Sequence, residues 1–316
     1  HGGNLYEDRV AAAVHTINGF GKPAGFEQVW ELGVIETPIA LTGTMNVPRV
    51  ADALVTIAAE RSPHIGVGFP ETGWAGYASV NPLVGETSDG YLSDLQGRPI
   101  GLPEVRAAWA AASPDVVEGA VGAGTGTSCY GWKGGIGTAS RLLPERAGGY
   151  TVGALVQTNF GSPEELTICG VPVGKHLRPP DTRGDDTGGH AVPGGSIMVI
   201  LATDAPLDAR GLGRLCRRVS FGLARTGSTC HGGSGDFVIA FSTAERVTDR
   251  PESPLSFRAV LNEQPLMNDF SLAVIESVEE AIYNSLLMAR TVTGRNGHTR
   301  FGLPAGRVER IVRKHL

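Results

Sequence analysis

Residues 176–195 (HLRPPDTRGDDTGGHAVPGG) run straight into a block of apolar residues, and this junction constrains the chain more than any other feature. The upstream side combines Pro, Gly, Asp, Thr and Arg with almost no apolar content, the composition of a flexible surface segment. The downstream side, Ser196 to Thr203 (SIMVILAT), is nearly continuous in its hydrophobicity and predicts a strand buried on both faces. The junction Pro193-Gly194-Gly195-Ser196 admits two readings. In one, a loop ends at an edge strand and Ser196 is a turn residue. In the other, Ser196 Oγ attacks the Gly195 carbonyl, the peptide becomes an ester, and water releases the upstream chain. Glycines at both preceding positions give the backbone freedom such an attack needs. The new terminal serine would carry a hydroxyl and an α-amine. An α-amine titrates at about 7.7–8.0, close to what a general base at neutral pH requires.

Periodicity places the other elements. Helices are predicted over 48–60 and 102–112, each with Pro near its start, and over 268–290. Asp208 is placed to cap a helix in which Leu212, Leu215, Cys216, Val219 and Leu223 follow helical spacing. Strands are predicted over 150–157, 165–169 and 236–243, and loops with short strands over 62–101. Strands and helices alternate in both halves, so the class is mixed α and β.

Several chemistries are excluded. The net charge of −5 leaves no basic footprint for nucleic acid, and Arg217-Arg218, the densest basic spot, reads as the solvated face of a helix. The longest apolar runs, such as Ile197 to Ala202, are too short to span a bilayer. Cys129, Cys169, Cys216 and Cys230 form no CxxC pair and read as reduced, mostly packing residues. The histidines are dispersed and form no HExxH, so no metal or other cofactor is expected. There is no G-x-S-x-G elbow, and the Cys230-His231 adjacency does not make a dyad. Residues 119–137 are rich in glycine, but Gly122-Ala-Gly124-Thr-Gly126 misses the dinucleotide spacing and Lys133 is followed by Gly134 rather than Ser or Thr. That stretch reads as tight turns with close backbone packing. The chain opens abruptly at His1 with no signal peptide, which suggests a cytoplasmic protein, with the periplasm as the alternative.

PGGSIMVILATDAPL, followed by FGLARTGSTCHGGSGDFVIAFST, resembles the L-aminopeptidase/D-esterase family, which includes the β-peptidyl aminopeptidases. The upstream half is similar too, in INGFGKPAGFEQVWELGVIETPIALTGTMNVPRVADAL, NPLVGETSDGYLSD, VEGAVGAGTGTSCYGWKGGIGTASR and VQTNFG. The likeness covers nearly the whole chain and selects the second reading of the junction. It implies an α/β fold (α+β), an αββα sandwich of the N-terminal-nucleophile-like, ornithine acetyltransferase type. One catalytic domain would be assembled from an upstream chain 1–195 and a downstream chain 196–316 that stay associated, within a homo-oligomer, a tetramer of such pairs.

Residue by residue, the resemblance makes Ser196 the nucleophile and new N-terminus, with Gly195 before it at the cleavage point. Ser234 and Asp236 match the Ser-x-acid pair that supports it; on a strand their spacing puts both side chains on one face. Asn159 matches the amide that forms the oxyanion hole, and Glu86 the carboxylate that grips the substrate's free amine. Ser88 stands where some members carry a tyrosine at the oxyanion site. Members also usually carry several dozen residues before the position of His1, so the first upstream strands are expected to be missing. The implied activity is removal of the N-terminal residue, α or β, from small peptides, amides or esters. The alternatives are an endo-acting amidase of the nylon-oligomer hydrolase kind, against which Glu86 argues, and an unprocessed non-catalytic paralogue.

Overall fold

The computed structural model describes residues 3–67, 78–180, 194–249 and 264–316. In chain order the elements are β1 (Asp8–Gly19), α1 (Phe26–Leu32), β2 (Val34–Ile35), β3 (Ile39–Gly43), α2 (Val47–Arg61), β4 (Leu83–Thr87), α3 (Leu102–Ala110), β5 (Ser128–Cys129), β6 (Trp132–Lys133), β7 (Ile136–Leu142), β8 (Thr151–Asn159), β9 (Gly194–Thr203), α4 (Ala209–Cys216), α5 (Val219–Arg225), β10 (Gly233–Thr248), α6 (Gln264–Leu287), β11 (Val292–Thr293), β12 (Thr299–Arg300) and α7 (Ala305–His315).

The main sheet has six strands in the order β2-β1-β10-β9-β8-β7. Strand β9 is central, parallel to β10 and antiparallel to β8. Its apolar residues alternate between two cores. Ile197, Val199 and Leu201 pack with residues of α4, α5 and α6, while Met198 packs with Leu83 of β4 and with Phe237 and Ile239 of β10. A third core lies between the β3–β4 pair and the helices α2 and α3, around Val50, Leu54, Ile57, Val84 and Val105. Three cores between four layers give the order helix, six-stranded sheet, two-stranded sheet, helix: the αββα sandwich.

Close packing of these layers depends on glycine at two places. A Cβ on Gly85 would stand 2.6 Å from Met198 Cε, so β4 approaches β9 only because residue 85 has no side chain. A Cβ on Gly137 would stand 2.0 Å from the Ala281 carbonyl oxygen, so α6 lies directly on the backbone of β7.

The local expectations hold with shifted ends in most places. Helix α2 carries Pro48 in its first turn and buries Val50, Leu54 and Ile57. Asp208 caps α4, its Oδ1 accepting the Gly211 N–H at 2.6 Å. Two expectations fail. The helix expected through Val219 and Leu223 breaks at Arg217-Arg218, where the Arg218 N–H reaches back only to the Leu215 carbonyl at 2.9 Å. That three-residue closure tightens the end of α4 and lets α5 leave in a new direction. Arg217 and Arg218 therefore sit at a corner rather than on a helix face. Residues 165–169 form no strand. Pro163–Glu165 is a 3₁₀ turn boxed by Ser162 and Glu165, and Ile168 closes on Val171 in a reciprocal turn with Cys169 at φ +51°.

Of the polar segment 176–195, residues 181–193 lie outside the described residues. In its first part His176, Arg178 and Pro180 are exposed while Leu177 is buried in the main core, and β9 already begins at Gly194. The four cysteines are unpaired, and Cys169 is exposed rather than packed. No helix among the described residues is long and apolar enough to cross a membrane.

Candidate active site

Ser196 is the third residue of β9 and is 3% exposed. Asn159, the last residue of β8, lies directly opposite it, and Gly235 of β10 flanks it on the other side. Paired residues share a face of the sheet. Ser196 and Asn159 therefore both point toward the β3–β4 layer, as Met198 does.

Two donors converge on the Ser196 hydroxyl. The Ser88 backbone N–H, just beyond β4, reaches Oγ at 3.2 Å, and Asn159 Nδ2 reaches it at 3.3 Å. The amide of Asn159 is fixed at both ends. Its Oδ1 accepts the Ser128 N–H at 3.0 Å, and its Nδ2 also donates to the Ser88 carbonyl at 2.9 Å. The donor at position 88 is main chain, so a serine there in place of tyrosine leaves it intact. The residue types could not reveal this contribution, because a backbone N–H has no sequence signature. Gln157, buried two residues before Asn159, also supports the site through its side chain, whose Nε2 donates to Thr87 Oγ1 at 2.7 Å and ties the end of β4 to β8.

Ser234 and Asp236 are both buried, and Ser234 Oγ donates to Asp236 Oδ1 at 2.6 Å. The expected pair is therefore present, but it does not face the Ser196 hydroxyl. Ser234 lies opposite Gly195, and Asp236 opposite Ile197. Both side chains therefore project from the helix-facing side of the sheet, opposite the Ser196 side chain. Between them they flank the Gly195–Ser196 peptide. Asp236 Oδ2 is buried without a hydrogen-bond partner among the described residues. Burial pushes the Asp236 carboxyl above the usual range, against the opposing pull of the Ser234 hydroxyl, the Cys230 thiol and His231.

Glu86 is the fourth residue of β4 and is 2% exposed, not an exposed loop acid. Its Oε1 accepts the Lys22 N–H at 2.9 Å, beside Gly21, which has no room for a side chain against Phe237. The Lys22 ammonium turns away to Thr44 Oγ1 at 2.7 Å, and no ion pair to Glu86 occurs among the described residues. No group of three His, Cys, Asp or Glu side chains able to hold a metal occurs among the described residues.

Comparison with known proteins places this arrangement. The model of peptidase family S58 matches residues 1–300. The chain is 38% identical to the β-peptidyl aminopeptidase BapA of Sphingosinicella microcystinivorans, over 97% of this chain and 76% of that one. The PH0078 protein of Pyrococcus horikoshii OT3 superposes with a TM-score of 0.89 at 44% identity, covering 100% of this chain and 83% of that one. The L-aminopeptidase D-Ala-esterase/amidase of Ochrobactrum anthropi, described as a variant of the Ntn hydrolase fold, superposes with a TM-score of 0.85 at 34% identity, covering 98% and 82%.

Proposed function

The chain belongs to peptidase family S58, and on that premise we propose that it is a self-processing serine aminopeptidase that cuts before Ser196 and then uses Ser196 to hydrolyse amide or ester bonds at a free N-terminus. The observation that carries this reading is the convergence of Asn159 Nδ2 and the Ser88 N–H on the Ser196 hydroxyl, with Gly195 immediately before it. In maturation Oγ attacks the Gly195 carbonyl carbon, the C–N bond breaks, and the Ser196 nitrogen takes up a proton as the α-amine. Water then cleaves the ester and frees the Gly195 carboxylate. In turnover the α-amine draws the proton from Oγ while Oγ attacks the substrate carbonyl, the bond to the leaving amine or alcohol breaks as that group takes up the proton, and water then hydrolyses the acyl–Oγ ester and restores the hydroxyl. Donors already aimed at Oγ lie within reach of an oxygen on the carbon that Oγ bonds, where negative charge develops.

Asp236 and Glu86 divide two ammonium groups between them in this reading. Asp236 flanks the nitrogen of Ser196, and its unpartnered Oδ2 offers the α-ammonium an acceptor once the peptide is cut. Among the described residues the buried Glu86 carboxyl has no cation paired with it, which favours capture of a substrate ammonium. That supports an exopeptidase over an endo-acting amidase. The substrates are short peptides, amides or esters with a free amine, and the likeness to a β-peptidyl aminopeptidase brings β-residues into the class.

Intact mass measured under denaturing conditions tests the reading. Two polypeptides are expected, the smaller beginning Ser-Ile-Met-Val, and Ser196→Ala should leave one chain. Wild-type protein that stays full-length after prolonged incubation would sink the proposal.

A further inference from the structure

We propose that Lys133 is a positioning residue for the oxyanion amide: it anchors and polarises the peptide group that aims Asn159 at Ser196. Lys133 lies on β6 and is 0% exposed. Its Nζ donates to the carbonyls of Gly124 at 2.8 Å, Thr127 at 2.8 Å and Gly134 at 2.7 Å. An ammonium has three hydrogens, and here each has one acceptor, all of them main chain. Burial pulls the Lys133 amine down to about 7, against the opposing pull of the Asp89 carboxylate, and among the described residues no carboxylate accepts a hydrogen bond from it. The stretch 122–135, which the sequence shows only as glycine-rich turns, is thus folded around the Lys133 amine.

One of the three acceptors matters for the site. The Thr127 carbonyl and the Ser128 N–H belong to a single planar peptide group and point in opposite directions. Lys133 holds its oxygen end, and Asn159 Oδ1 accepts from its nitrogen end at 3.0 Å. The Asn159 amide carries the same polarity onward, since its Nδ2 donates to Ser196 Oγ at 3.3 Å. Two amide groups in series therefore connect a buried ammonium to the position where the oxyanion forms. Hydrogen bonds in such a chain polarise one another, and a positive charge at the far end strengthens each donor toward negative charge at the near end. The fixed peptide also stops the Asn159 side chain from rotating its oxygen toward the site.

This inference rests on the reading of Asn159 as the oxyanion donor, and a double-mutant cycle separates the two. The variants are Lys133→Met, Asn159→Ala and the pair, each prepared as processed protein and assayed per folded active site. Asn159→Ala should lower kcat by roughly 10²–10³-fold. Lys133→Met should lower kcat by about tenfold, less than loss of the donor itself, with KM within about twofold. In the Asn159→Ala background Lys133→Met should change kcat by less than about twofold, although it lowers the melting temperature equally in both backgrounds. If Asn159→Ala leaves kcat intact, the oxyanion reading fails. If Asn159→Ala costs rate while Lys133→Met does not, or costs the same in both backgrounds, only the role of Lys133 fails. Lys133→Gln, which keeps N–H donors without the charge, is the second variant should Lys133→Met not fold. If neither folds, Lys133 serves the fold rather than the amide, and the inference is overturned.

Discussion

Two carboxylates in the site, Glu86 and Asp236, are both nearly inaccessible, and each makes a different prediction. For Glu86 the prediction concerns substrate. Glu86→Gln removes the charge that would hold a free amine, at a cost of about 2–5 kcal/mol in kcat/KM. Acetylating the substrate amine should be about as damaging to the wild type. Equal cleavage of free and acetylated peptides would remove Glu86 from the site. For Asp236 the prediction concerns stability against pH. Burial raises its carboxyl in the folded state, so the fold binds this proton more tightly than the unfolded chain does. The stability it contributes is fully present below the unfolded value of about 3.9 and is lost as pH rises through the folded value. At neutral pH the carboxylate thus weakens the fold. In the chain kept intact by Ser196→Ala, Asp236→Asn should raise the melting temperature at pH 7, with the gain vanishing on acidification toward pH 4, while in processed protein with Ser196 present the same substitution lowers kcat roughly 10²-fold. A melting temperature that drops at pH 7 would show the carboxylate to be a net stabiliser.

At the scale of elements, the contact between α6 and β7 is the most demanding. It brings a helix onto bare strand backbone at Gly137. Gly137→Ala would set its Cβ against the Ala281 carbonyl, which no rotamer change relieves. The loss of stability should reach or exceed the ~1–3 kcal/mol usual for overpacking. Gly153 on the neighbouring strand β8 is the control, since a Cβ there meets nothing nearer than 3.9 Å. Chemical denaturation of both variants checks this, and equal losses would show that α6 does not rest on Gly137. Elements of this kind were legible where the pattern was local. β9 was visible because apolar residues on both faces leave an unbroken run, and α2 because its buried residues recur at helical spacing. The break between α4 and α5 was not, since Cys216, Val219 and Leu223 stay buried on both sides of it and keep the spacing of one helix.

The whole molecule interleaves its two halves. The central strand β10 and all but the first two residues of β9 come from residues after 195, and the strands on either side of them, β1 and β8, come from residues before it. Cutting before Ser196 would leave both halves sharing one sheet and its cores. Processed protein should therefore elute as one species containing both polypeptides and separate only in denaturant. Recovery of a folded upstream fragment alone under native conditions would contradict this.

The sequence by itself determined the candidate site residues through their match to family motifs, and the strands that carry Ser196 and Asp236 through turn chemistry and hydrophobic period, which are properties of neighbouring positions. It placed Ser196 at the head of a buried strand, and the family motif that matched Ser234 and Asp236 put them at positions which share one face of β10, where their side-chain oxygens lie 2.6 Å apart. Which face that is relative to Ser196 was decided only by the register of β10 against β9, a non-local choice among backbone hydrogen bonds. The tertiary structure also decided that Glu86 is enclosed, that the Ser88 N–H joins Asn159, and that Lys133 stands behind both Thr127 and the amide it supports. Backbone donors and acceptors are the same at every position along the chain. Only folding selects which few of them meet a buried charge or a nucleophile.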